Sequence, residues 1–423
     1  MITRTTLSLP DLDWEDVERI SRARGEPAWV LGLRQKAFRL YQESPAPSRT
    51  AETIPLDLPG APGERDARLK GAVLPPGSYL VDLPAAVRTL PDLVRPYLFH
   101  SALHLDEASA EGGRELAVQA FLWNEGLFVY LPAGARASRP LATLVRVPAG
   151  AGRLRPLLRH LLVVLEPGAE LELIEERRGN GRTGGEEATV VSTSWEVVLK
   201  EGARLRLGLI QDLPPHAHAF GLGRVKLEKD ASFELFLAEV GGASSTLYFG
   251  ADLVGTGAEA RTAGLFVGHG SQRFQLDLEN VHQGEHTMSN LLLRGVLGDR
   301  ATAIVRGLGR IRSGAREATS NQRTDTLLLS PEARADTIPS LKIDEDDVHA
   351  GHGAAVGQID EEALFYLMTR GLARPVATRL LVEGFLEALL TKSPSGRVEK
   401  RLRHLIWRKI EQIGGKSSDA KDE

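Results

Sequence analysis

The chain has 423 residues, 42% hydrophobic and 26% charged, which is enough apolar material for a large core and excludes a disordered polymer. Its 52 basic and 56 acidic residues leave a formal net charge of -4, excluding a general binder of nucleic acid or anionic membrane. Cys is absent, so disulfides, thiolate catalysis and any cluster site built from this chain's own thiolates are excluded as well.

Met1 to Leu7 show no charged segment leading into an apolar one, and no stretch approaches the roughly 20 apolar residues of a membrane helix. A cytoplasmic protein is expected. Residues 1-45 are predicted to be a helical region. Asp13 is placed to cap a helix in which Trp14, Val17 and Ile20 recur at helical spacing. A second helix follows Pro27, carrying Trp29, Leu33, Phe38 and Tyr41 until Pro45 and Pro47 stop it. Residues 46-115, rich in Pro, Gly and small polar side chains over much of their length, read as a linker and irregular segment.

From 116 to 343 the pattern changes to short apolar runs broken by Gly, such as Leu127 to Leu131, Leu161 to Leu165 and Ala231 to Leu237. These are strand-length and lack helical periodicity. A turn-plus-strand phrase begins at Gly134, Gly168, Gly202, Asp230 and Gly257, in steps of 34, 34, 28 and 27 residues. A strand repeat of that size points to a solenoid. Its corners need Gly or Asp in a left-handed conformation, and inward residues such as Leu171 and Leu205 stack from coil to coil. A sandwich or barrel of irregular spacing is the competing reading.

Residues 344-414 are predicted to be a C-terminal helical domain. Asp360 caps a helix carrying Ala363, Leu364, Leu367 and Met368, and Gly371 ends it. Pro375 opens a second helix through Leu390, and a third, from about Val398 to Ile413, puts Leu402, Leu405, Ile406 and Ile410 on one face. Residues 415-423 read as a disordered tail.

Nucleotide motifs are absent: Gly415-Lys416-Ser417 lacks the upstream glycine of a phosphate loop, its place being taken by Ile410. The His pairs 100/104, 216/218 and 282/286 read as surface or hydrogen-bonded groups. The pair His349 and His352 differs, because Asp344 to Gly357 packs four carboxylates, two imidazoles and three glycines at the seam between strands and helices. Two readings stay open there. One is a solvated glycine-rich connector; the other is a close backbone approach to a partner or cluster, with an imidazole as a ligand of intermediate softness.

The same segment resembles the SufB/SufD family, components of the cytosolic sulfur-mobilisation system that assembles iron–sulfur clusters. The resemblance runs through Asn321-Gln322, Leu327-Leu328-Leu329-Ser330, Ala333, Pro339-Ser340-Leu341, Asp346-Asp347-Val348, His352-Gly353-Ala354, Val356-Gly357, the stretch Asp360 to Leu367, and Arg370-Gly371, reaching Phe385. Glu26-Pro27-x-Trp29 with Lys36-Ala37-Phe38, and His286-Thr287-x-Ser289, carry it into the other two regions.

The resemblance implies a mainly β fold, a right-handed parallel β-helix core with N-terminal and C-terminal α-helical domains. It also implies a non-catalytic scaffold in a SufBCD iron–sulfur cluster assembly complex, pairing with a SufB-like paralogue and binding a SufC-like ATPase, with a homodimer as the fallback in isolation. Where the family segment often reads Asp-Asp-Val-Lys-Cys-Ser-His-Gly, this chain has Ala350 at the Cys position. The Cys-free chain therefore resembles the SufD-type members. On that alignment His352 is the residue for cluster assembly at the partner interface, and His349, where the family has Lys, is a weaker accessory. No cofactor is expected to be bound stably by this chain alone; a transient iron–sulfur cluster is expected with the partner. The ATPase is expected to dock on the C-terminal helices at Glu361, Phe365, Tyr366, Arg370 and Gly371, because Phe365, Tyr366 and Leu367 fall on successive helix faces and cannot share one buried stripe. The alternative is a β-helix enzyme such as a polysaccharide lyase or acyltransferase.

Overall fold

The computed structural model describes residues 5–8, 12–44, 52–55, 74–105, 113–147, 156–179 and 189–413. The chain opens with β1 (Thr5–Ser8), α1 (Trp14–Ala23), α2 (Ala28–Glu43), β2 (Glu52–Pro55), β3 (Tyr79–Asp82), α3 (Leu83–Thr89), α4 (Pro91–Val94) and α5 (Gly113–Leu122). Strands then follow without interruption by helix: β4 (Glu125–Leu131), β5 (Leu141–Val147), β6 (Leu157–Leu165), β7 (Glu170–Gly179), β8 (Thr189–Leu199), β9 (Arg204–Asp212), β10 (Ala217–Leu227) and β11 (Ser232–Glu239). The run continues with β12 (Ser244–Leu253), β13 (Glu259–Gly268), β14 (Arg273–His282), β15 (Met288–Leu297), β16 (Thr302–Ile311), β17 (Ala318–Leu328), β18 (Arg334–Ile343) and β19 (Val348–Gln358). Helices α6 (Glu361–Thr369), α7 (Arg374–Leu390) and α8 (Gly396–Gln412) close the chain.

From β4 onward, even-numbered strands fall in a nine-stranded sheet, which β3 completes, and odd-numbered strands in an eight-stranded one. Each strand pairs in parallel with the one two positions away, which is the architecture of a parallel β-solenoid. The corner residues read from the sequence all take left-handed conformations, with φ of 68° at Gly134, 67° at Gly168, 66° at Gly202, 54° at Asp230 and 73° at Gly257. The same corner continues at His286 (57°) and Glu317 (56°), where neither residue is glycine. Inward positions stack in register, Leu171 on Leu205 and Leu205 on Phe233, and are buried.

Three apolar clusters result. One fills the solenoid lumen, with Trp195, Phe249 and Phe274 among its large side chains. A second joins α2, α3 and α5 to the outward face of the nine-stranded sheet through Phe38, Phe121, Leu162 and Phe220. A third seats α7 and α8 on the outward face of the eight-stranded sheet, where Leu386, Leu402 and Ile406 meet Phe236 and Leu265. Each such buried side chain contributes about 1.5–3 kcal/mol.

The element bounds differ from the sequence reading at three places. Within 46-115, Tyr79–Asp82 forms a strand and Leu83–Thr89 and Pro91–Val94 form helices that pack with α2 and α5, while most of 46–73 lies outside the described residues. The strand region starts at Glu125, not 116, because Gly113–Leu122 is a helix buried along almost its whole length. It ends at Gln358, not 343, because Val348–Gln358 adds one more rung beside β17. The tail 415-423 also lies outside the described residues.

A carboxylate fixes the N-terminal region to the sheet. Glu196 on β8 accepts the backbone N–H of Phe99 at 2.7 Å, of Ala102 and Leu103 at 3.2 Å, and of Ser101 at 3.3 Å. Phe99 turns with φ of 56°, which brings these amides to one point.

Candidate functional site

The two ends of the solenoid are built differently. At the first rung β3 lies antiparallel on β4 and covers that edge of the nine-stranded sheet. At the last rung β18 and β19 each have a sheet neighbour on one side only, so two rows of backbone N–H and C=O groups face outward. Ile338, Ile343 and Val356 are exposed on these strands.

The lumen changes character as it approaches this end. On β17 the buried inward positions are Ser320, Gln322, Thr324 and Thr326, where the rung below supplies Ser289, Leu291, Leu293 and Gly295. His352 on β19 stands in register with Gln322, so its side chain points along the inward column, yet it is exposed because it lies in the last rung. Gln322 Nε2 donates to the Ser340 carbonyl at 3.2 Å, whereas its buried Oε1 has no hydrogen-bond partner. Gly307, opposite, has no side chain, and a Cβ there would collide with that Oε1.

One rung deeper, His282 Nδ1 contacts Thr287 Oγ1 and its Nε2 contacts Ser289 Oγ, both at 2.8 Å, and Ser289 Oγ lies 3.1 Å from Ser320 Oγ. Burial pushes the His282 pKa down to about 4, so the imidazole is neutral. A polar column thus leads from His282 through Ser289 and Ser320 toward the open end.

His349 and His352 are not brought together. Three residues apart on one strand, they project to opposite faces, and His349 pairs with Thr319 on the outside of the solenoid. The segment Asp344 to Gly357 is therefore a turn and a terminal strand. Within the turn, Glu345 accepts the Gly314 backbone N–H at 2.8 Å, and this bond holds its carboxyl below the usual range. Among the described residues no three His, Cys, Asp or Glu side chains converge as a metal-ion site.

Two residues after β19 the chain enters α6, capped by Asp360, whose carboxylate accepts the amides of Glu362 and Ala363. Leu364 is buried, but Phe365 and Tyr366 are 68% and 57% exposed. Arg370 donates to the Tyr366 hydroxyl at 3.1 Å and lies over its ring, Glu361 pairs with Arg374 at 2.7 Å, and Gly371 ends the helix with φ of 89°. The five residues named from the sequence thus share one short exposed ridge beside the open end. What sequence reasoning did not assign is the polar column; His286-Thr287-x-Ser289 and Asn321-Gln322 were its visible signal, without a role attached.

Comparison with known proteins bears on this arrangement. The model of the SUF system FeS cluster assembly SufBD core domain matches residues 149–385, from the second coil through most of α7. The chain is 27% identical over 439 residues to the iron-sulfur cluster assembly protein SufD of Bacillus subtilis (strain 168), covering 94% of this chain and 98% of that protein. It is 30% identical over 322 residues to an iron-sulfur cluster assembly SufBD family protein of Pyrococcus horikoshii, covering 74% and 68%. The SufB protein of the same Bacillus strain is 24% identical over 426 residues, covering 90% and 89%. A parallel solenoid between two helical regions, matched along its length in this way, belongs to the SufBD family of iron–sulfur cluster assembly proteins, and the chain is SufD-like.

Proposed function

We propose that the chain is the SufD-type, non-catalytic scaffold subunit of a cytoplasmic SufBCD-type complex. Its open end, with edge strands β18 and β19, pairs with a SufB-like paralogue, the partner's strands continuing both sheets across the junction. The ridge of Glu361, Phe365, Tyr366, Arg370 and Gly371 receives a SufC-like ATPase. In this reading the iron–sulfur cluster is cargo: the partner supplies thiolates and His352 offers a neutral imidazole to the growing cluster. His349 faces away and takes no direct part.

The observation that carries the reading is the bare, polar-lined terminal rung in which His352 stands over Gln322. Edges this long are ordinarily protected in monomeric proteins, so an end left uncovered is suited to a structurally similar partner. Size-exclusion chromatography of the full chain with and without a SufB-like protein tests it. A stable heterodimer, with homodimer alone in the partner's absence, is expected; a chain that stays monomeric and ignores the paralogue contradicts it.

A further inference from the structure

Between the N-terminal region and the outward face of the nine-stranded sheet lies a cavity of about 540 Å³, well away from the α6 ridge. That volume suits a small organic molecule. Its floor and wall are apolar where Leu103, Leu116, Leu222, Tyr248 and Leu308 meet. Four arginines, Arg224, Arg306, Arg310 and Arg312, also line it.

Two of the four are fully engaged. Arg224 holds Asp252 through Nε at 2.7 Å and Nη2 at 2.6 Å, and reaches Glu279 through Nη1 at 2.6 Å, a span allowed by the missing side chain of Gly250. Arg306 donates to Asp277 at 2.8 Å. The other two are not. Arg310 comes no nearer than 3.7 Å to Glu279, which Arg224 already occupies, and its buried Nε has no hydrogen-bond partner. Arg312, exposed at the end of the same strand, has no ion-pair partner among the described residues. A buried guanidinium N–H without an acceptor is costly, about 1–3 kcal/mol or more, and calls for one. Guanidinium forks match phosphate oxygens in geometry and charge.

We propose that this cleft binds a small organic phosphate with a flat aromatic body. Arg310 and Arg312 hold the phosphate, and the body lies against Leu222, Tyr248 and Leu308. The full chain is titrated calorimetrically with 1-naphthyl phosphate, and separately with 1-naphthol and with inorganic phosphate. Saturable binding of 1-naphthyl phosphate at least tenfold tighter than of either fragment is expected. The double variant Arg310→Gln, Arg312→Gln is expected to weaken it at least tenfold while leaving 1-naphthol binding unchanged. The exposed Arg312→Gln variant alone, with wild-type circular dichroism, is expected to weaken it several-fold, which keeps the test valid if the double variant is unstable. Absence of saturable binding, equal affinity for 1-naphthol, or undiminished binding by Arg312→Gln overturns the proposal.

Discussion

Gln322 on β17 and His352 on β19 stand opposite each other in the register of the last two rungs, the first with a buried carboxamide and the second open to solvent. The carboxamide fits only because Gly307 leaves it space. Gly307→Ala forces Gln322 aside, and overpacking of this kind costs about 1–3 kcal/mol. Gly307→Ala, Gln322→Ala removes the collision, so the two changes are expected to be non-additive. Denaturant unfolding of the four proteins in the cycle checks this; simple additivity contradicts the contact.

The exposed ridge on α6 makes a separate prediction. Tyr366→Ala with Arg370→Ala removes a side chain that is mostly solvent-exposed and the guanidinium that holds it, so the fold is expected to survive with unchanged circular dichroism. Aromatic and arginine anchors dominate many interfaces, and losing them typically costs about 2 kcal/mol or more, a loss of more than tenfold. ATPase pull-down by the double variant is expected to fall accordingly; wild-type pull-down means the ATPase docks elsewhere.

His282 gives the fold an acid-sensitive point. Burial lowers its pKa from 6.5 to about 4, so between those values the unfolded chain binds a proton that the folded chain refuses. Stability from this group is complete above the unfolded value and declines as pH falls toward 4, by on the order of 3 kcal/mol in total. Urea unfolding at pH 7, 5.5 and 4.5 is expected to show a shallower decline for His282→Gln than for the wild type. Equal declines contradict a neutral buried imidazole.

Glu196 is expected to be the most sensitive single position for the N-terminal region. Glu196→Leu strips the acceptor from four backbone amides, three of them in buried residues, and exceeds the loss of one ordinary hydrogen bond, about 1 kcal/mol, several-fold. Limited proteolysis is expected to cut the variant near residues 99–103 under conditions in which the wild type is intact. Unchanged protection there contradicts the anchoring role.

Much of the architecture was legible in the amino-acid sequence because the corners are made of residues with a stereochemical reason to be there. Gly134, Gly168, Gly202, Asp230 and Gly257 marked five turns, and all five adopt left-handed backbone. The pattern ran out at His286 and Glu317, which take the same conformation without advertising it. The strand β19 escaped because its inward positions, Ala350, His352 and Ala354, lie in a rung that covers nothing and needs no apolar alternation. Helix α5 escaped for the opposite reason: it is buried on all sides, so it shows no amphipathic stripe. The C-terminal helices were readable from Asp360, Gly371 and Pro375, which act through local geometry alone. His352 was named through family resemblance, whereas Gln322, Ser320 and His282 became a connected column only through strand register.

The central claim is that His352 serves the cluster and does not merely hold the terminal rung together. His352 is exposed, so His352→Ala is expected to leave thermal stability, heterodimer formation and ATP hydrolysis of the complex close to wild type. The visible absorbance of the iron–sulfur cluster on the complex purified from cells is the direct measurement. Loss of that absorbance with an intact complex is the predicted result, and full cluster content in the His352→Ala complex would contradict the account.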